Sequence, residues 1–175
     1  MWTANAKSPA GIGNATALAF VEAGCTSLAI TDLNPDSLRE TAIQVVEKNP
    51  FVNLFEEAGD ISDEKFVDSF IANVAEHFDR IDYCVNSAGI LGKNENSTEM
   101  SIEDFDKINN VNYRGCWLTS RAQLKVMLNQ EPLPSHDGSR APQRGSIVNI
   151  ASQLGVVARP KARKTLISRG GKVRC

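Results

Sequence analysis

Gly11-Ile12-Gly13 opens a segment with apolar residues at helical spacing, and Asp32 follows the next strand-like run, 21 positions beyond Gly11. Glycines let the backbone approach a pyrophosphate, and a helix N-terminus offers unpaired N–H donors and positive dipole character. A carboxylate after a second strand can accept both hydroxyls of an adenosine ribose and would repel a 2′-phosphate. Gly-x-Gly alone fits a plain helix cap better; the intervening strand and the position of Asp32 reverse that preference in favour of a dinucleotide site. Asn112 shares one helical face with Ile108, Gly115 and Thr119. A polar side chain on that face needs partners, either nearby backbone or a reacting group. Ser152 follows the apolar run Ser146–Ile150, where an open parallel sheet binds ligands, although a serine after a strand also fits a simple turn.

Other chemistries find little support. His77 and His136 have no partner at metal or triad spacing, and Ser152 lacks a Gly-x-Ser-x-Gly elbow. Cys25, Cys84, Cys116 and Cys175 are 59, 32 and 59 residues apart, which is not a zinc-ligand spacing; they read as reduced thiols of the cell interior. Residues 1–154 hold 12 Lys/Arg against 21 Asp/Glu, whereas residues 155–175 hold seven Lys/Arg and no acid. An acidic body argues against nucleic acid as partner, and the basic tail has no aromatic on which a base could stack. No apolar run approaches the ~18 residues of a membrane helix, and the first ten residues lack signal-peptide character. A cytoplasmic address is expected.

The elements that must position these residues alternate between helix and strand, the signature of an α/β fold with a parallel sheet. The 175 residues suit one domain. Ile12, Ala15, Leu18, Ala19 and Val21 suggest the apolar face of a first helix closed by Gly24. Ser27–Thr31 reads as a strand ending at Asp32. Asn34 then caps a helix with Pro35 at its first position and Leu38, Ala42, Val45 and Val46 as its stripe. Phe51–Phe55 reads as a strand, and Ser62 opens a helix burying Val67, Phe70, Val74 and Phe78. Ile81–Val85 is a strand running into Asn86-Ser87-Ala88-Gly89. Ser101 and Asp104 form a capping box for a helix reaching about Leu128. Residues 131–145 read as an exposed loop, and Ser146–Ile150 as the last strand.

The chain resembles a short-chain dehydrogenase/reductase from about Gly11 to Pro160. Asp60-Ile61 resembles the family's Asp-hydrophobe pair at the adenine, and Asn86-Ser87-Ala88-Gly89 its Asn-Asn-Ala-Gly motif beside the cofactor. Asn112 resembles the tetrad asparagine that holds a relay water, and Ser152 the serine that polarises the reacting carbonyl. The resemblance implies a doubly wound, Rossmann-like parallel sheet over residues 1–160. It also implies hydride transfer between a nicotinamide cofactor and a small alcohol or ketone. NAD is expected over NADP because of Asp32. Cofactor contacts would then fall to Gly11, Ile12, Gly13, Asp32, Asp60, Ile61, Asn86, Ala88 and Gly89, with Asn112 and Ser152 catalytic and no metal. Homo-oligomers are expected in the family.

The pattern breaks in two places. The family's catalytic tyrosine and lysine fall 13 and 17 residues past the serine, where this chain has Thr165 and Arg169. A threonine hydroxyl is too weak an acid to replace a phenol, and a guanidinium fork is not a compact ammonium. Ala6-Lys7 stand where the family's turn has Thr-Gly. Met1–Ala6 hold no apolar run, so the first strand is expected to be missing, together with the C-terminal elements that complete the substrate pocket and dimer face. Weak cofactor binding and aggregation would follow. Residues 161–175 are expected to be a disordered basic tail, consistent with a shifted reading frame, retained intron or faulty gene model. The chain as written is expected to be inactive; the alternative is a non-catalytic dinucleotide-binding or partner-binding module.

Overall fold

The computed structural model describes residues 2–4, 11–93, 96, 98–134 and 138–152. Ala6, Lys7, His136, Thr165, Arg169 and the basic tail lie outside the described residues. Five strands, β1 (Trp2–Ala4), β2 (Ser27–Asp32), β3 (Asn53–Ala58), β4 (Tyr83–Asn86) and β5 (Ser146–Asn149), form one parallel sheet in the order β3-β2-β1-β4-β5. Helices α1 (Ile12–Glu22), α2 (Pro35–Lys48), α3 (Glu64–Phe78), α4 (Ile102–Asn109) and α5 (Cys116–Asn129) connect them.

The expectation of a missing first strand is corrected. Trp2–Ala4 pairs with Ile30–Asp32 on one side and, through Trp2 and Thr3, with Val85 and Asn86 on the other. A central strand needs only backbone donors and acceptors between its neighbours to complete the ladder, so three residues without an apolar run suffice. The third strand also begins later than its aromatic residues suggest, at Asn53, because Phe51 is 92% exposed in the preceding turn.

Alternation along the strands divides the core into two layers. Leu28 and Ile30 of β2 and Val85 of β4 join Ala17 and Val21 of α1 and Leu38, Ala42 and Val45 of α2. Ala29 and Cys84 face the other layer, with Phe70, Ile71 and Val74 of α3 and Leu118, Ala122 and Met127 of α5. Burial pushes the Cys84 thiol up to about 12, leaving it a neutral core group. Arg121 of α5 donates to Glu64 of α3 at 2.5 Å and holds that carboxyl below the usual range, tying the two helices at the surface.

The caps follow local chemistry. Asn34 accepts from the N–H groups of Asp36 and Ser37 with Pro35 at the first helical position, as expected. Gly24, at φ +92°, closes α1 in a Schellman arrangement, its N–H bonded to Val21 and that of Cys25 to Phe20. The N-cap of α3 is Asp63 rather than Ser62. The expected face of α1 is rotated: Ile12 is 62% exposed and Ala15 and Ala19 are exposed, while Gly13, Asn14, Ala17 and Val21 are buried. The small face lies closest to its neighbours, and Asn14 is satisfied there by donating to Thr41 Oγ1 and Gln44 Oε1 of α2 at 3.2 and 3.1 Å. Among the described residues no helix is long and apolar enough to cross a membrane.

Phe70 belongs to the largest fully buried side chains. Phe70→Ala is expected to cost about 3–5 kcal/mol in urea unfolding. Phe51→Ala, at an exposed turn, should stay within about 0.5 kcal/mol of the parent.

Candidate functional site

Because all five strands run in one direction, their carboxyl ends share one edge of the sheet. The chain winds from β1 through β2 to β3 on one side and resumes at β4 and β5 on the other. A crevice therefore opens at the carboxyl ends of β1 and β4, where the strand order reverses. The sequence-predicted residues collect along this edge.

Gly11 is the N-cap of α1 in extended conformation, with no side-chain cap bond and no acidic residue in the first turn. Gly13, in the first turn of α1, is buried and adds no side chain at the start of the helix. Donors at a helix N-terminus with no competing carboxylate fit a pyrophosphate. Asp32 ends β2 and is 3% exposed; its Oδ1 accepts the Asn34 N–H at 2.8 Å, and its backbone carbonyl accepts the Gly59 N–H at 2.9 Å. Those bonds fix the carboxylate beside the turn that leads to Asp60. Asp60 Oδ1 in turn accepts both the N–H and the Oγ of Ser62, each at 2.8 Å. Ile61 is buried in the same core cluster as Ala88 and Val111. A Cβ on Gly115 would lie 2.9 Å from Ile61 Cδ1, so glycine at 115 permits that packing.

The expected single long helix is interrupted. Asn110–Gly115 is a π-helical turn between α4 and α5, the kind of local widening that often accompanies a functional site. Asn112 within it is buried on one face with Ile108, Gly115 and Thr119, as the spacing indicates. Its side chain answers the question of partners. Oδ1 accepts the Ile90 N–H at 2.7 Å and Nδ2 donates to the Ile90 carbonyl at 3.0 Å. Asn112 therefore clamps the residue that follows Gly89, anchoring the loop that leaves β4.

Asn86, the last residue of β4 before that loop, points its amide inward. Nδ2 donates to Asn149 Oδ1 at 2.8 Å and to Gln123 Oε1 at 3.1 Å, and Oδ1 accepts from Gln123 Nε2 at 2.8 Å. Ala88 is buried and Gly89 half-buried. The Ile150 N–H donates to the Asn86 carbonyl at 2.9 Å, extending the β4–β5 ladder to within two residues of half-buried Ser152.

Ile90, Gln123 and Asn149 were not singled out from the sequence. Only Gln123 left a readable signal, as a polar residue four positions after Thr119 on an inward stripe. His77 is exposed on α3, with Nε2 3.1 Å from Asn53 Oδ1. Among the described residues no group of three His, Cys, Asp or Glu could hold a metal ion. A cavity of about 620 Å3, lined by Phe20, Leu28, Val74, Phe78, Ile81 and Tyr83 among others, opens at the amino ends of β2 and β4, away from the predicted residues.

A family model described as enoyl-(acyl carrier protein) reductase matches residues 6–172, continuing beyond Pro160. The short-chain dehydrogenase srdC of Neurospora crassa is 36% identical over 155 residues, covering 86% of this chain and 57% of that relative. Levodione reductase of Leifsonia aquatica is 32% identical over 146 residues, covering 83% of this chain and 50% of the relative. The chain thus spans about half the length of the curated relatives it matches. A crystal structure of levodione reductase superposes with a TM-score of 0.81 at 28% identity, covering 97% of this chain and 61% of that one. NAD+-bound xylitol dehydrogenase gives 0.81 at 27% identity, with 97% and 59% covered. On the family match and on this shared fold, the chain belongs to the short-chain dehydrogenase/reductase family.

Proposed function

We propose that this chain forms the cofactor-binding part of an oxidoreductase that moves a hydride between NAD and a small alcohol or carbonyl compound. The observation that carries the reading is the buried carboxylate of Asp32, oriented by the Asn34 N–H on the same sheet edge as the uncapped start of α1. In this reading the Gly11–Gly13 turn receives the pyrophosphate. Asp32 accepts the ribose hydroxyls, and Asp60 and Ile61 border the adenine. Ala88 and Gly89 let the chain pass close to the nicotinamide half. Bound there, the nicotinamide supplies the hydride acceptor or donor. Xylitol dehydrogenase, which shares this fold, has been solved with NAD+ bound, and that supports a nicotinamide cofactor here.

Asn112 contributes by holding Ile90, and so the Asn86–Gly89 loop, in place. Ser152 is the hydroxyl that would donate to the substrate oxygen and orient its carbonyl. Proton transfer needs a further group. Thr165 and Arg169 occupy the family's Tyr and Lys positions, and neither side chain exchanges a proton readily at neutral pH. The same substitution favours a second reading, a dinucleotide-binding module without turnover. The presence of β1 supports cofactor binding by this chain, while the Ala6-Lys7 turn lies outside the described residues.

Two measurements test these statements. Calorimetric titration of the purified chain is expected to show tighter binding of NAD+ than of NADP+. Loss of a hydrogen bond to a charged group costs about 1.5–3 kcal/mol, so Asp32→Ala should weaken NAD+ roughly ten- to hundredfold. Tighter NADP+ binding by the unmutated chain would overturn the NAD preference. In the second measurement, NAD+ at about 100 times its dissociation constant should stabilise the chain by about 2.7 kcal/mol, while a panel of alcohols and ketones gives no turnover. Turnover that disappears in Ser152→Ala would show that the chain has another proton donor.

A further inference from the structure

Among the described residues β5 is an outermost strand of the sheet; it carries Ser152 just beyond its end, and little apolar burial holds that end in place. Ser146, Val148 and Asn149 are exposed, Val148 by 49%, and the apolar contacts come from two partly buried residues, Ile147 against the core of the α3–α5 layer and Ile150 against that of the α1–α2 layer. A strand so lightly buried needs another restraint if the residue after it is to keep a fixed position.

That restraint is polar. Gln123 is 0% exposed on α5 and exchanges two hydrogen bonds with Asn86, amide against amide. The second Asn86 N–H reaches Asn149 Oδ1 at 2.8 Å, and Ser120 Oγ donates to the same oxygen at 3.2 Å. Asn86 and Asn149 face each other in the β4–β5 register. One helix therefore grips the carboxyl ends of two strands through one buried amide pair. A buried amide left without partners is costly, so the pair has one well-satisfied arrangement.

We propose that Gln123 is a positioning residue. Through Asn86 it fixes Asn149, and with it the segment leading to Ser152, against the loop Asn86–Gly89, so that both face one crevice. The proposal rests on the reading of Ser152 as the substrate-orienting hydroxyl. Gln123 itself is buried beneath the sheet edge and acts only through Asn86 and its neighbours.

Hydrogen exchange of the intact chain, with the Ser152 amide resonance followed by NMR, tests it. Gln123→Met keeps the length of the side chain and removes both hydrogen bonds. It is expected to speed exchange at residues 147–152 roughly tenfold, corresponding to about 1.4 kcal/mol of lost protection, to shift the Ser152 resonance, and to leave residues 28–31 of β2 unchanged. Gln123→Glu carries its own control. The protonated acid can donate to Asn86 Oδ1 and accept from Nδ2, whereas the carboxylate only accepts. After correction for intrinsic exchange, its protection at 147–152 should return as pH falls through the carboxyl pKa, while the parent stays flat. Ser120→Ala, which removes the bond to Asn149 Oδ1 and the 3.3 Å bond that Ser120 Oγ accepts from Asn86 Nδ2 but leaves the Gln123–Asn86 pair, should act in the same direction by a smaller factor and serves if Gln123→Met does not fold. Unchanged exchange at 147–152, or a rise spread equally over β2, would overturn the proposal. Titration of the parent and variants with NADH separates the two readings: a parent that fails to bind NADH defeats the functional reading, and the exchange pattern alone decides the clamp.

Discussion

The common direction of the five strands is the constraint on which the rest of this molecule depends. In a parallel sheet every strand must return through a crossover, so each carboxyl end delivers a loop to the same edge. Three backbone residues, Trp2–Ala4, join the two winding halves by pairing with both β2 and β4. The reversal of strand order beside them creates the crevice, and residues as distant in sequence as Gly11 and Ser152 become neighbours of one edge.

Around that edge, buried amides do what aliphatic packing does elsewhere in the fold. Asn14 joins α1 to α2, Asn112 holds Ile90, and Gln123 with Asn86 and Asn149 joins α5 to two strand ends. Apolar contacts are tolerant of small shifts, whereas a buried hydrogen bond loses its value within a few tenths of an ångström and leaves a costly orphan. Polar clamps therefore suit loops whose backbone must be placed accurately, and the two apolar layers suit the bulk of the stability. The π-helical turn serves the same end, since it widens the helix where Asn112 reaches the β4 loop.

Much of the fold was legible because its determinants are local. The Asn34 cap with Pro35, the closing Gly24 and the stripe Val67, Phe70, Val74 each act within one or two helical turns. The candidate site was legible for a related reason: glycines at a helix start, an acid after the second strand and a serine after the fifth are placed by short-range order. What failed was any inference that required knowing the neighbours. The face that α1 buries is set by what it lies against, and a buried Asn14 is acceptable only because Thr41 and Gln44 meet it. β1 was missed because its contribution is backbone pairing between two strands, which leaves no apolar pattern to read.

The sequence alone determined the α/β alternation, the helix caps and the order in which the site-bearing loops occur, since these follow from residue type and spacing along the chain. Tertiary structure decided which side chains lie along the carboxyl edge of the sheet and which are used as internal fastenings. Asn112 and Asn86 look alike as polar residues in functional motifs, yet both direct their amides to protein partners, Ile90 in one case and Gln123 with Asn149 in the other. The physical reason is that a hydrogen bond depends on distance and direction between groups 22 to 63 residues apart in the chain, and only the closed sheet with its packed helices sets either quantity.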